Sequence, residues 1–339
     1  MSRITIHDVT LRDGNHAVAH QLSVEQIISY ATAANAAGVP IVEVGHGNGL
    51  GASSLQVGIS AIDDERMLTE AKKCLTTSKL AIHDMPGFAT IKRDLGKSLE
   101  LGVDVVRVAA HCTEADVTQR HISFVRAKGK EAIGALMMSH MASPDVLLVE
   151  AQKMESYGAE GVVIYDSAGA YLPAQVKERI SLLVGKLNIP VGFHAHNNLG
   201  MGIANAIVAV ESGATIIDGS ARGFGAGAGN AQVEVIVAVL NKMGYETGID
   251  LYKLLDTADL AERDLMKEIP RVKSLSVISG MAGVFSGFSK PVERISKEYG
   301  VDPRDVFFEL GRRQVVGGQE DIIIEVAADL ATKSGRKVQ

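Results

Sequence analysis

The chain has 339 residues, 46% hydrophobic and 22% charged, with a formal net charge of −6 spread along its length. That composition excludes a disordered chain and argues against nucleic acid or an anionic membrane as the partner. Two isolated cysteines, Cys74 and Cys112, exclude a disulfide framework and a cysteine-built zinc site, and without a leader pattern or a run of about 18 apolar residues the expected location is the cytoplasm.

Taken in chain order, short Val/Ile-rich runs alternate with longer stretches of helical period. The runs are "ITIHDV", "IVEVGHG", "KLAIHDM", "VVRVAAH", "IGALMMSH", "GVVIYDS", "VGFHAHN" and "IIDGSA". Amphipathic segments such as "SVEQIISYATAANAAG" and "PDVLLVEAQKMESYGAE" lie between them, opening on cap residues and closing on glycine. This is the pattern of repeated βα units around a parallel sheet, and eight units predict a closed barrel. Nearly every run ends in a polar residue: His46, Asp84, His111, His140, Asp166, His194, His196 and Asp218. In a (β/α)8 barrel those ends converge on one face, whereas an open sheet would scatter them.

After about residue 245 the alternation gives way to helical patterns, "LYKLLDTADLAERDLM", "PVERISKEYG", "PRDVFFELGRR" and "QEDIIIEVAADLATK". The expected organisation is a TIM barrel over 1–250 and a small helical C-terminal domain over 251–339. Between the helices, "SVISGMAGVFSGFSK" reads as a packed turn or a segment touching the barrel mouth.

The chemistry is concentrated at two strand ends. His194 and His196 stand two apart on a strand and so share a face. With a carboxylate they suit Mn²⁺, Zn²⁺ or Fe²⁺, and Asp13 from the first strand is the natural third ligand. Arg12 beside it can only donate, and either holds an anionic oxygen next to the cation or braces the mouth by pairing with Glu43. His16 has the intrinsic pKa of a general acid or base at neutral pH, while His20 is read as support or surface. "GFGAGAGNA" over 223–231 lacks the context of a dinucleotide fingerprint and reads as a loop whose backbone N–H groups face an anion. No strand run ends in a lysine, so the electron sink is a metal and not a Schiff base.

"DVTLRDG" and "HAHNNLG" together resemble the metal-dependent barrel lyases and synthases that include isopropylmalate and homocitrate synthases, hydroxymethylglutaryl-CoA lyase and the 4-hydroxy-2-oxovalerate aldolases. "RDGNHAVAHQ", "VEVGHGNGL", "VVRVAAHCTEADV", "LMMSHM", "MESYGAEGV", "FGAGAGNA" and "VVGGQEDII" resemble the last group over most of the chain. The resemblance implies a class II pyruvate aldolase, a lyase of aromatic-hydrocarbon catabolism that splits a 4-hydroxy-2-oxoacid into pyruvate and an aldehyde. It implies that Asp13, His194 and His196 bind a divalent metal, Mn²⁺ foremost, with Mg²⁺, Co²⁺ or Zn²⁺ as substitutes. It further implies that Arg12 holds the substrate oxo group and the enolate, that His16 takes the C4 hydroxyl proton, and that Ser167 helps bind the pyruvyl carboxylate.

Such aldolases pair with an acylating aldehyde dehydrogenase through the helical domain, which makes a homo- or hetero-oligomer the expected assembly. Two departures touch the aldehyde half. Phe285 in "GVFSGF" stands where the family has tyrosine, and "HDMPG" replaces an apolar "LLLPG", putting His83 and Asp84 where leucines shape the aldehyde pocket. They predict a larger or more polar aldehyde than acetaldehyde and count against the dehydrogenase partner. The alternative is an acyl-CoA-dependent Claisen-type synthase or lyase of the same superfamily, for which the region after the barrel is short; a non-catalytic scaffold would have no use for the five polar residues.

Overall fold

The computed structural model describes residues 3–333. Its centre is a closed barrel of eight parallel strands in sequence order. They are β1 (Thr5–Leu11), β2 (Ile41–Val44), β3 (Lys79–Asp84), β4 (Val105–His111), β5 (Glu131–Met137), β6 (Gly161–Asp166), β7 (Val191–Ala195) and β8 (Ile216–Gly219), and β1 closes on β8 with Thr5 opposite Ile216. The helices between them are α1 (Val24–Ala36), α2 (Asp64–Cys74), α3 (Gly96–Glu100), α4 (Gln119–Ala127), α5 (Pro144–Ser156), α6 (Pro173–Lys186) and α7 (Gly202–Glu211), with α8 (Val233–Met243) after β8.

Local chemistry explains the starts. Ser23 caps α1 with a reciprocal bond to Gln26, Asp63 caps α2, and Ser143 with Pro144 opens α5. Most of the apolar surface of α1 to α8 packs on the outside of the strands in one continuous core.

The period of two sorts side chains between the barrel interior and this outer core. Ile41, Ala81, Val105, Ala109, Val163 and Ile216 form an interior cluster. Residues of the same parity therefore also point inward, and Glu43, His83, Arg107, Tyr165 and Asp218 follow them. Arg107, fully buried, is the hub of this interior polar layer: Nη2 donates to Asp218 Oδ2 at 2.6 Å, and Nη1 lies 3.4 Å from Glu43 Oε2.

After the barrel come α9 (Leu251–Asp264), α10 (Ser274–Ala282), α11 (Ser289–Tyr299), α12 (Pro303–Arg312) and α13 (Asp321–Lys333). Leu254, Ala258, Ala261 and Leu265 join the barrel's outer core, whereas Val284, Phe288, Val292, Val306, Phe307, Leu310, Ile323 and Val326 form a separate one. The cores thus divide after Leu265, beyond the boundary at 250 that the end of strand alternation suggests, because α9 is a helix of the barrel's outer layer.

The segment "SVISGMAGVFSGFSK", foreseen as a packed turn or a contact with the mouth, makes that contact and also contains a helix, α10. Ser286 N donates to the Ser167 carbonyl at 3.1 Å, Ser286 Oγ to Asn198 Oδ1 at 3.0 Å, and His140 Nε2 to the Gly283 carbonyl at 2.8 Å.

Candidate active site

Strand β1 ends where the chain turns at Arg12 into a single 3-10 turn, Asp13–His16, and Arg12, Asp13 and His16 line the cavity at the barrel mouth. Ligand atoms of Asp13, His194 and His196 all lie within 4.8 Å of one another, and all three residues are buried. Two of the three are oriented from behind. His194 Nδ1 donates to Asp218 Oδ2 at 2.9 Å, which leaves the Nε2 lone pair for the site. Asp13 accepts from Arg12 Nη1 at 2.8 Å and from Asn230 Nδ2 at 2.6 Å.

A divalent cation fits this donor set. Two imidazoles and a carboxylate match the middle of the transition series, and His196 Nδ1 is buried without a hydrogen-bond partner. Burial would raise the Asp13 carboxyl, but the charge on Arg12 together with His196 and His16 holds it far below its ordinary range. Burial also pushes the His196 imidazole down to about 4, so it stands neutral, as a ligand must.

Arg12 pairs with Glu43, as one of the two readings of its position expects. Its Nε donates to Glu43 Oε1 at 2.6 Å and its Nη1 reaches Asp13, while Nη2 is buried and unpartnered. The free donor is one nitrogen and not a two-pronged fork. Burial would lower the guanidinium, yet Glu43 and Asp13 keep it charged, and in return Glu43 is held down at about 2 by Arg12 and Arg107 against the effect of its burial.

His16 lines the same cavity, its ring pressed on Gly47, where any Cβ would fall 2.6 Å from it. Burial lowers it to about 4, leaving an unprotonated ring able to accept a proton at neutral pH. His20, read from the sequence as support, is buried and stacks on His46 with centroids 3.6 Å apart, edge-on to His16 at 5.1 Å. Ala19 and His20 both take left-handed backbone, φ 55° and 63°, a strain that the surrounding packing has to hold.

The cavity enclosed by these groups is lined by Arg12, Asp13, His16, His83, Met85, Met137, Tyr165, Ser167, His194, His196 and Phe285, among others, and has a volume of about 20 Å³. Ser167 Oγ accepts from Met138 N at 3.0 Å and keeps its own proton to donate. Phe285 arrives from the C-terminal domain, packed against Phe288.

Asp84 is a correction. It does not face the cavity with His83: neighbouring residues on a strand point to opposite faces, and its carboxylate lies in the outer core, 2.6 Å from His121 Nδ1. The glycine-rich loop packs close to the site, since a Cβ at Gly225 would lie 2.6 Å from Asp13 Oδ2, and it delivers Asn230 to Asp13.

Two residues escaped the sequence reading. Asn230 is hidden in that loop, which carries no periodic signal. Tyr165 was legible, since it stands two residues before Ser167 and in register with Val163. Its ring stacks on His194 at 4.5 Å, Arg107 sits over it at 5.0 Å, and burial raises its hydroxyl well above the usual range.

Comparison with known proteins shows the family. Residues 3–261 match the HMGL-like family, and residues 270–332 match a DmpG-like communication domain. A 4-hydroxy-2-oxovalerate aldolase of Pectobacterium atrosepticum is 63% identical over 99% of this chain and 98% of its own length. Proteins of the same name from Spirochaeta aurantia and Streptomyces tendae are 62% and 56% identical, each over 98% of this chain and over 98% and 92% of their own.

Among solved structures, the N-terminal domain of a putative aldolase from Bacteroides vulgatus shares the fold, with a TM-score of 0.74 at 24% identity over 86% of this chain and 97% of that one. The carboxyl transferase domain of Rhizobium etli pyruvate carboxylase does too, with a TM-score of 0.82 at 16% identity over 98% of this chain and 61% of that one. No helix among the described residues is long and apolar enough to cross a membrane. The chain therefore belongs to the HMGL-like family and, within it, to the 4-hydroxy-2-oxovalerate aldolases, lyases that release pyruvate and an aldehyde.

Proposed function

We propose that Asp13, His194 and His196 hold a divalent cation, Mn²⁺ first and Mg²⁺, Co²⁺ or Zn²⁺ as substitutes, and that the residues around it divide the cleavage of a 4-hydroxy-2-oxoacid among them. The observation that carries this is the buried triad with ligand atoms within 4.8 Å of one another, in a chain of a metal-dependent aldolase family. When bound, the cation polarises the 2-oxo group and offsets the negative charge that develops there.

The other roles belong to the chain itself. Nη2 of Arg12, the one guanidinium nitrogen without a partner, donates to the same oxygen as it gains charge. His16, neutral and within the cavity, takes the C4 hydroxyl proton; the C3–C4 electron pair passes into the enolate and C4 becomes the aldehyde carbonyl. The Ser167 hydroxyl, which accepts from Met138 N, donates its proton to the pyruvyl carboxylate. Phe285 is the wall of this cavity contributed by the C-terminal domain.

An acylating aldehyde dehydrogenase is the partner this reading favours. The communication-domain match over 270–332 and the separate core behind it support a hetero-oligomer, and they outweigh the substitutions at residues 83 and 285 that count against one.

Pyruvate release from 4-hydroxy-2-oxopentanoate, read through a coupled lactate dehydrogenase, tests the proposal. Release that stops on chelation and returns with Mn²⁺ is the expected result; full turnover by rigorously demetallated protein sinks it.

A further inference from the structure

Once the metal, the clamp, the base and the carboxylate site have been assigned, the polar side chains left over in the cavity are Asn48, His83 and Tyr165. His83 and Tyr165 are both buried, and neither His83 Nδ1 nor the Tyr165 hydroxyl has a hydrogen-bond partner among the described residues. Buried polar atoms without partners are rare and costly, and in a ligand-binding cavity they mark where a ligand's polar atoms go.

The two rings are 6.0 Å apart, and Tyr165 also stacks on His194, so it stands between a triad imidazole and His83. Met85, Met137 and Phe285 supply apolar wall around them.

We propose that His83 and Tyr165 bind a hydroxyl on carbon 5 of the substrate, so that the aldehyde released is a 2-hydroxyaldehyde of the glycolaldehyde kind. This rests on the aldolase reading above and names the substrate class for its second half. A phenol and an imidazole together offer donors and an acceptor, which a substrate hydroxyl satisfies and a methyl group does not. The balance of the reaction is unchanged. The C4 hydroxyl proton goes to His16, the C3–C4 electron pair goes to the enolate, and the C5 hydroxyl leaves intact on the aldehyde.

The experiment compares pyruvate release from 4-hydroxy-2-oxopentanoate and 4,5-dihydroxy-2-oxopentanoate by the Mn²⁺-loaded full chain, its Tyr165→Phe variant and its His83→Leu variant. Exchange of pyruvate C3 protons with deuterated water is followed in parallel, because it reads the pyruvate half without any aldehyde. The wild type should favour the dihydroxy acid in kcat/KM by about tenfold or more, and each substitution should move that ratio toward one.

Wild-type preference for the monohydroxy acid, or a ratio that neither substitution moves, overturns this inference while exchange and cleavage leave the aldolase reading standing. Absence of both cleavage and exchange in the wild type removes that reading and this inference together. The wild-type ratio decides the matter by itself if a variant does not fold.

Discussion

The pyruvate side of the cavity and its aldehyde side differ in how far the protein has already satisfied its own polar atoms. On the first, His194 is held by Asp218, Asp13 by Arg12 and Asn230, and Arg12 by Glu43. On the second, His83 and Tyr165 present polar atoms that nothing in the chain answers. Partners of this kind hold the reacting groups of the first side in one arrangement, with His196 Nδ1 and Arg12 Nη2 left open, while the unanswered groups of the second select whichever substrate supplies the missing bonds. Chemistry and selectivity are thus separable here, and each can be broken without the other.

The largest effect should come from the base. His16→Ala is expected to lower kcat by roughly 10²–10⁴, with Mn²⁺ affinity nearly unchanged and pyruvate still bound; steady-state kinetics beside a metal titration would show this, and a matching loss of metal would make His16 a ligand instead. Next is the support behind the metal. Asp218→Asn should weaken metal affinity by roughly 10–100-fold, because the His194 imidazole loses the carboxylate that fixes its tautomer, and competition against a chelator reads it directly.

The apoprotein should also be acid-sensitive, on the metal side above all. Burial lowers His7, His16 and His196 to about 4 and His20 and His83 to about 3. Folded values below the unfolded one contribute stability that is present above pH 6.5 and is lost as pH falls toward 4, since the unfolded chain takes up protons that the folded one refuses. Melting temperatures of chelated protein between pH 7.5 and 4.5 should fall steadily through that window; a flat profile would mean the imidazoles are not buried as described.

The smallest effect sharpens the boundary of the site. Asp84→Asn should cost about 1–3 kcal/mol of stability by weakening its bond to His121, and it should leave the ratio of rates on the two substrates where it was. A changed ratio would return Asp84 to the cavity.

How much of this was legible in the sequence follows from period and distance. The barrel was, because eight apolar runs with polar ends repeat a local pattern. So was the meeting of His194, His196 and Asp13, because alternation and barrel closure fix where strand ends go. Asp84 was misplaced by reading adjacent residues as one pocket, against the same period of two that put Ile41 and Glu43 on one face. The boundary at 250 failed for another reason: α9 carries an ordinary amphipathic stripe, and a stripe does not say which core it covers. Asn230 was invisible, since its contact with Asp13 spans the barrel and its loop has no period. Arg12 carried two readings from the sequence; its bond to Glu43 answers one, and Nη2 is left without a partner among the described residues.

Mn²⁺ binding followed by electron paramagnetic resonance, in the wild type and in His196→Ala, bears most directly on the account. A single tight ion in the wild type that is lost or strongly weakened in the variant is the outcome the buried triad requires. Undiminished binding by the variant would place the metal elsewhere and contradict it.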